Sequence, residues 1–263
     1  MEKPASRVRR AAAPLLRQLD DSRPAASLRG EVSAALLRGA VLLAAALTIL
    51  SFAVVLPVQS MAQSAALYAV VCVWIWYALP LHLPHRRFGP ANEVTLIRAV
   101  LVCLLAGLSG WVELQSLGWL PFLLALTILL LDGVDGWAAR RSGLPSAFGE
   151  RFDIEVDSLL LLAICMLLAF SEKAGIWVLG AALLRYAFVA AGKALPWLAR
   201  SLPPRMARKT CFVVAAALLF AGLAPLVPPE FAAAMASAAT VLLAVSFAVD
   251  LLWLTRQARR GVS

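Results

Sequence analysis

The chain of 263 residues is 62% hydrophobic and 15% charged, with a mean hydropathy of +0.84, whereas ordinary soluble domains are roughly 45–50% apolar and about 25% charged. A water-soluble globule does not fit, and a second soluble domain has no room, because apolar runs able to cross a hydrocarbon core of about 30 Å recur along nearly the whole length. The formal charge of +9 does not signal nucleic acid, since the basic residues are dealt out between apolar segments rather than gathered on one surface, and Cys72, Cys103, Cys165 and Cys211 stand singly without the CxxC spacing of a zinc site or a disulfide framework.

Residues 1–35 carry Lys3, Arg7, Arg9, Arg10, Arg17, Arg23 and Arg29, too many charges over too long a stretch for the start of a signal peptide. They read as a basic cytoplasmic arm, solvated throughout or, through Val8, Leu15, Leu16 and Leu19, lying on anionic lipid as a short interfacial helix. Apolar runs follow at Leu37 to Leu56, Ala65 to Leu83, Val94 to Leu108, Leu117 to Trp137, Ile154 to Phe170, Ile176 to Gly192, Cys211 to Val227 and Phe231 to Leu254. The expected fold class is all-α, a polytopic helical membrane protein with about eight transmembrane helices. Alternate connections hold Arg86 and Arg87, then Arg140, Arg141 and Arg151, then Lys193, Arg200, Arg205, Arg208 and Lys209, and finally Arg256, Arg259 and Arg260. The opposite loops hold Lys173 alone among basic residues, beside Glu113, Glu172 and Glu230. By the positive-inside rule both termini are cytoplasmic, and Trp111, Trp119 and Trp177 mark the outer boundary as interfacial anchors. His82 and His85, spaced i, i+3 near the inner boundary, are accounted for by interfacial packing and receive no role.

Carboxylates do not belong in such runs. Each costs roughly 2.5–3.5 kcal/mol at a helix centre on insertion scales, yet Asp132 and Asp135 close the fourth run and Asp153 and Asp157 open the fifth. At about 100° per residue Asp132, Asp135, Gly136 and Ala139 share one arc, and Gly149, Asp153 and Asp157 form an i, i+4, i+8 stripe from which Glu155 points away. Two adjacent antiparallel helices would bring four carboxylates to one cleft. Their mutual repulsion calls for compensation, most simply by two divalent cations, and an all-oxygen donor set without His or Cys favours Mg²⁺ or Mn²⁺. Gly136 and Gly149 open space for a bulky anion to approach the backbone, and Arg140 can clamp a phosphate, as a two-metal site for diphosphate cleavage requires.

The series Asp132, Asp135, Gly136, Ala139, Arg140, then Gly149, Asp153 and Asp157 resembles, at every fixed position, the signature of the CDP-alcohol phosphotransferase (CDP-alcohol phosphatidyltransferase) family of integral membrane phospholipid-synthesis enzymes. Asn92, Thr95 and Arg98 look like the opening of that family's first core helix. Arg185 stands where many members have Arg followed by an acid, with Tyr186 here instead of the acid, and Arg205, Arg208, Lys209 and Thr210 resemble the basic entry of its fifth core helix. The similarity runs from about Asn92 to the C-terminus. It implies a six-helix core at 87–263, preceded by two accessory transmembrane helices at 36–86.

The resemblance implies a phosphotransferase for substituted phosphate groups, moving a phosphatidyl or related group from a CDP-linked donor to an alcohol and releasing CMP. It makes Asp132, Asp135 and Asp153 metal ligands, with Asp157 both metal neighbour and general base. Gly136, Ala139, Arg140, Gly149, Asn92 and Thr95 would shape the nucleotide pocket. Arg98, Arg185, Arg205, Arg208 and Lys209 would bind the acceptor or a phosphate, although Arg98 and Arg185 could instead serve helix ends or snorkel, and the other three could serve topology alone. CDP-diacylglycerol is the favoured donor by family analogy. The alternative is a soluble CDP-alcohol of the CDP-choline or CDP-ethanolamine type acting on a lipid alcohol, and an ion-coupled transporter is disfavoured because neither repeats nor interrupted helices are evident. Expected partners are these substrates and membrane lipids, with no nucleic acid; a homodimer is left open. The expected location is a bacterial inner membrane with the site facing the cytoplasm.

Overall fold

The computed structural model describes residues 4–54, 56–82, 87–110, 117–142, 146–199 and 206–260, with side chains for all of these except 4–26, 134–142, 196, 199, 259 and 260. The described residues form α1 (Pro4–Ala53), α2 (Val58–Ala78), α3 (Pro90–Leu108), α4 (Leu120–Ser142), α5 (Ala147–Phe170), α6 (Leu179–Ala194), α7 (Met206–Leu223) and α8 (Pro229–Arg260), with short 3-10 turns at Leu79–His82, Ile176–Val178 and Pro196–Ala199 and no strand among them. Lipid offers no hydrogen-bond partner to a bare backbone, so helices, which satisfy their peptide groups internally, are the form such apolar runs take. Leu37, Ile49, Phe52, Val73, Tyr77, Leu130, Val213 and Val241 point outward. This is an integral multi-pass membrane protein.

Six of the helical segments among the described residues are long and apolar enough to cross a membrane on their own. The two remaining long helices are α4, whose apolar part is limited to Leu120–Gly133, and α5. They differ from the other runs because they carry the acids. α3 lies at the centre, most of its length buried, with α1, α2, α4 and α5 packed on it, while α6 and α7 pack on α5 and α8 packs on α7 and α6. α4 and α5 barely touch each other, so it is their shared packing on α3 that sets their acids face to face.

The expected boundary at 35/36 does not appear as a break. α1 runs unbroken through 35 and 36, and Leu28, Val32, Ala35 and Leu36 are buried; their i, i+4, i+7, i+8 spacing makes one apolar stripe, so the end of the basic arm belongs to the bundle rather than to solvent. The expected boundary at 86/87 falls at the edge of the described residues, and hydrogen bonds join the segments on either side of it. Glu31 of α1 accepts the Phe88 N–H at 2.9 Å and Gln63 of α2 donates to Ala106 O and Ser109 Oγ, both at 3.1 Å, while Tyr68 of α2 ties α2 to α1 by donating to the Leu36 carbonyl at 2.6 Å. Trp119 and Trp177 are part exposed beside the ends of α4 and α6, whereas Trp111, Glu113, His85 and Arg86 lie outside the described residues.

Candidate active site

α3 begins at Pro90, after Gly89 with φ of 84°, a left-handed conformation that glycine takes without Cβ strain, and proline at the first helical position loses no needed N–H. Asn92, Thr95 and Arg98 then follow at three-residue steps along one buried face. The Asn92 amide donates to Phe88 O and the Thr95 hydroxyl to Ala91 O at 3.0 Å. α5 starts with Ser146, whose side chain accepts the Gly149 N–H at 3.0 Å; this is the N-cap bond that satisfies one orphan donor of the first turn.

The acids meet at Arg98. Its Nη2 lies 2.6 Å from Oδ1 of Asp132 and 2.6 Å from Oδ1 of Asp157, and its Nη1 lies 2.7 Å from Oδ1 of Asp153. The Arg98 side chain has 0% exposure, against 45%, 43% and 34% for the three acids, so the cation forms the floor of a cleft and the carboxylates form its open walls. One oxygen from each acid lies within 4.8 Å of the others. With one guanidinium for three carboxylates the cluster keeps a net negative charge when the acids are ionised. The donor set is entirely hard oxygen, from two helices and within one ion's reach, and it fits a divalent cation such as Mg²⁺ or Mn²⁺.

Gly149 lies one turn before Asp153 on α5. A Cβ there would come 2.9 Å from Asn92 Oδ1 and 3.3 Å from Ser146 Oγ, so the missing side chain lets the first turns of α3 and α5 touch. Asp135, Gly136, Ala139 and Arg140 belong to α4, but their side chains lie outside the described residues, as does Arg205 altogether.

Two of the other expected basic residues pair with acids outside this cluster. Arg185 of α6 makes a two-pronged ion pair with Glu155 of α5, at 2.9 Å and 2.7 Å, the acid that points away from the Asp stripe; an anionic headgroup would have to compete with Glu155 for it. Arg208 of α7 reaches Asp250 of α8 at 3.4 Å, and Lys209 is exposed. Asp250, 3% exposed, is a buried acid for which the sequence offers one signal, its place in an otherwise apolar run.

Residues 88–252 match the family model for CDP-alcohol phosphatidyltransferase. Comparison with curated proteins and with solved structures gives no match. The matched stretch is more than half of the chain and spans the whole acidic signature together with Asn92, Thr95 and Arg98. Members are divalent-metal-dependent enzymes that transfer a phosphatidyl or phosphoalcohol group from a CDP-linked donor to an alcohol, and the three acids gathered from α4 and α5 are an oxygen cluster suited to that chemistry. The chain belongs to the CDP-alcohol phosphatidyltransferase family.

Proposed function

We propose that this enzyme transfers the phosphatidyl group of CDP-diacylglycerol to an alcohol acceptor and releases CMP, in phospholipid biosynthesis at a bacterial inner membrane, with its acid cleft facing the cytoplasm. The observation that carries the reading is the meeting of Asp132, Asp153 and Asp157 within 4.8 Å beside a bundle whose outer surface is apolar. Acyl chains of the donor can stay in lipid while its charged diphosphate enters the cleft. By the positive-inside rule, the basic connections around the acid-bearing helix ends support a cytoplasmic location for that end.

Asp132, Asp135, Asp153 and Asp157 would hold two divalent cations, Mg²⁺ or Mn²⁺, which when bound neutralise the diphosphate and the leaving oxygen. Asp157 takes the proton of the acceptor hydroxyl as that oxygen bonds to the lipid-linked phosphorus; the bond from this phosphorus to the oxygen of CMP breaks, and CMP departs with the electron pair. Asp157 suits this task by position, on the deeper turn of the stripe and the least exposed of the three described acids. Arg98 orients Asp153 and Asp157 through its two ends. Gly136, Ala139, Arg140 and Gly149, with Asn92 and Thr95, shape the nucleotide pocket. Arg185, Arg205, Arg208 and Lys209 supply cations for the acceptor side.

The test is an acceptor screen with purified protein, CDP-diacylglycerol and Mg²⁺, read by CMP release and by lipid mass spectrometry. Glycerol 3-phosphate, inositol phosphate, serine, choline and phospholipid acceptors form the panel. Product from one acceptor, abolished by EDTA and restored by Mg²⁺, is the expected result. Turnover only with CDP-choline or CDP-ethanolamine and diacylglycerol would overturn the donor, and turnover unchanged after verified metal removal would overturn the role of the acids.

A further inference from the structure

His82 ends the 3-10 turn that follows α2, outside the 88–252 match, yet it is 1% exposed and wedged against the helix that carries half of the acids. Its Nε2 is 2.7 Å from the carbonyl oxygen of Arg87 and its Nδ1 is 2.9 Å from Ser146 Oγ. A carbonyl only accepts, so Nε2 carries a proton, and in the neutral ring that burial favours Nδ1 accepts the Ser146 hydroxyl. Ser146 Oγ in turn accepts the Gly149 N–H. The chain of bonds therefore runs in one direction from Gly149 through Ser146 to His82, and from His82 to Arg87, with every donor matched to an acceptor.

Ring packing holds the same place. His82 stands edge-on to Phe148 at 5.5 Å and lies 6.4 Å from Phe88, while Phe88 and Phe148 are 5.9 Å apart. Trp74 of α2 covers both Phe148 and Phe152, at 6.0 Å and 5.7 Å. The end of α2, the approach to α3 and the first turns of α5 thus form one aromatic cluster.

We propose that His82 is a positioning residue for the acid cluster: through Ser146 it fixes the rotation and height of the first turn of α5, and so of Asp153 and Asp157 against Arg98. The inference rests on the reading of these acids as the metal site. Its physical basis is register. A one-residue slip of a helix is about 1.5 Å of rise and 100° of rotation, more than the 2.6 Å and 2.7 Å bonds from Arg98 to Asp157 and Asp153 can absorb. Gly149, one turn before Asp153, lies in contact range of both Ser146 and Asn92, so the cap and the stripe move together.

The test uses the full-length protein in detergent and follows Mn²⁺ binding by electron paramagnetic resonance, with the melting temperature in EDTA as the control for folding. His82→Ala and Ser146→Ala are each expected to raise the Mn²⁺ half-saturation concentration about five- to tenfold, Ser146→Thr to bind close to wild type because it keeps the hydroxyl, and the double Ala variant to bind no worse than Ser146→Ala, because both act through one bond. Losses that multiply in the double variant would overturn the relay, as would folded single variants with wild-type Mn²⁺ affinity. If His82→Ala does not fold, Ser146→Ala against Ser146→Thr decides: a loss in the first and none in the second supports the inference, and equal binding overturns it. A wild-type protein that takes up no Mn²⁺ would overturn the metal-site reading along with this inference, whereas normal uptake by wild type and by all variants would overturn this inference alone.

Discussion

Arg98 brings one positive charge to three carboxylates and exposes none of its side chain. Guanidinium suits the place, since its rigid fork lets Nη1 serve one acid while Nη2 serves two. Deleting one partner of a fully buried ion pair costs about 3–5 kcal/mol, but these acids are a third to nearly half exposed, and screening lowers the expectation to about 1–3 kcal/mol. Arg98→Met should therefore melt at a lower temperature than wild type in EDTA and regain much of the difference in Mn²⁺, because a bound cation relieves the same repulsion. Melts with and without metal check this, and equal Mn²⁺ stabilisation of both proteins would contradict it. The acids themselves should divide by role. Asp157→Asn is expected to abolish transfer while keeping affinity for the CDP donor closer to wild type than Asp132→Asn does, because the first substitution removes mainly a proton acceptor. Donor-binding titrations of the two variants measure the difference; matching losses of affinity would argue against it.

At the scale of elements, α2 and α3 approach closely at Gly107. A Cβ on Gly107 would come 1.9 Å from Ser64 Oγ and 2.8 Å from the Ser60 carbonyl oxygen, and because the second atom is backbone, α2 itself would have to move. Small residues at such a crossing allow the close packing that holds membrane helices together. Gly107→Val should destabilise the protein by about 1–3 kcal/mol and, by lifting α2 with the turn that carries His82, weaken Mn²⁺ binding. Gly180→Val on α6, where a Cβ meets nothing within 4 Å, is the control expected to do neither, and melts with Mn²⁺ titrations of both variants separate the cases. Helix positions and the acid stripes were legible in the sequence because apolar length and an i, i+4 spacing need no partner to be read. The face shared by Asn92, Thr95 and Arg98 was legible for the same reason. That this face meets the acids was not, since it depends on how α3 packs between α4 and α5. Glu155 could be read as turned from the stripe, but its partner Arg185 lies on another helix. His82 packs against Phe88 and Phe148 from two other segments, and no local pattern announces its burial.

Over the whole molecule, charge gathers at the end where α3, α5 and α7 begin and α4 and α8 finish. Arg38 pairs with Glu93 at 2.6 Å, Arg98 holds the acid cluster, and Arg208 faces Asp250. Cations at such an end can draw in anionic substrates and, by the same charges, set orientation in the membrane. These two effects differ in what they ask of a single residue. Topology is shared among many cations, so one neutral substitution leaves it in place; a charge-assisted contact to a phosphate is worth roughly 1.5–3 kcal/mol, or about 10- to 150-fold in affinity. Arg205→Gln, Arg208→Gln and Lys209→Gln, made singly, therefore test the substrate-binding proposal. At least one should raise the KM of a phosphorylated acceptor, or of the lipid donor, by that margin with little change in the other. Arg208 needs its own control, because Asp250 is buried and neutralising the arginine also weakens the α7 to α8 joint. The double change Arg208→Gln with Asp250→Asn should restore the melting temperature lost in Arg208→Gln. A KM that stays high in this double variant assigns Arg208 to substrate, and one that returns to the wild-type value assigns it to packing. Three correctly inserted single variants with both KM values and kcat unchanged would leave these residues as determinants of orientation alone.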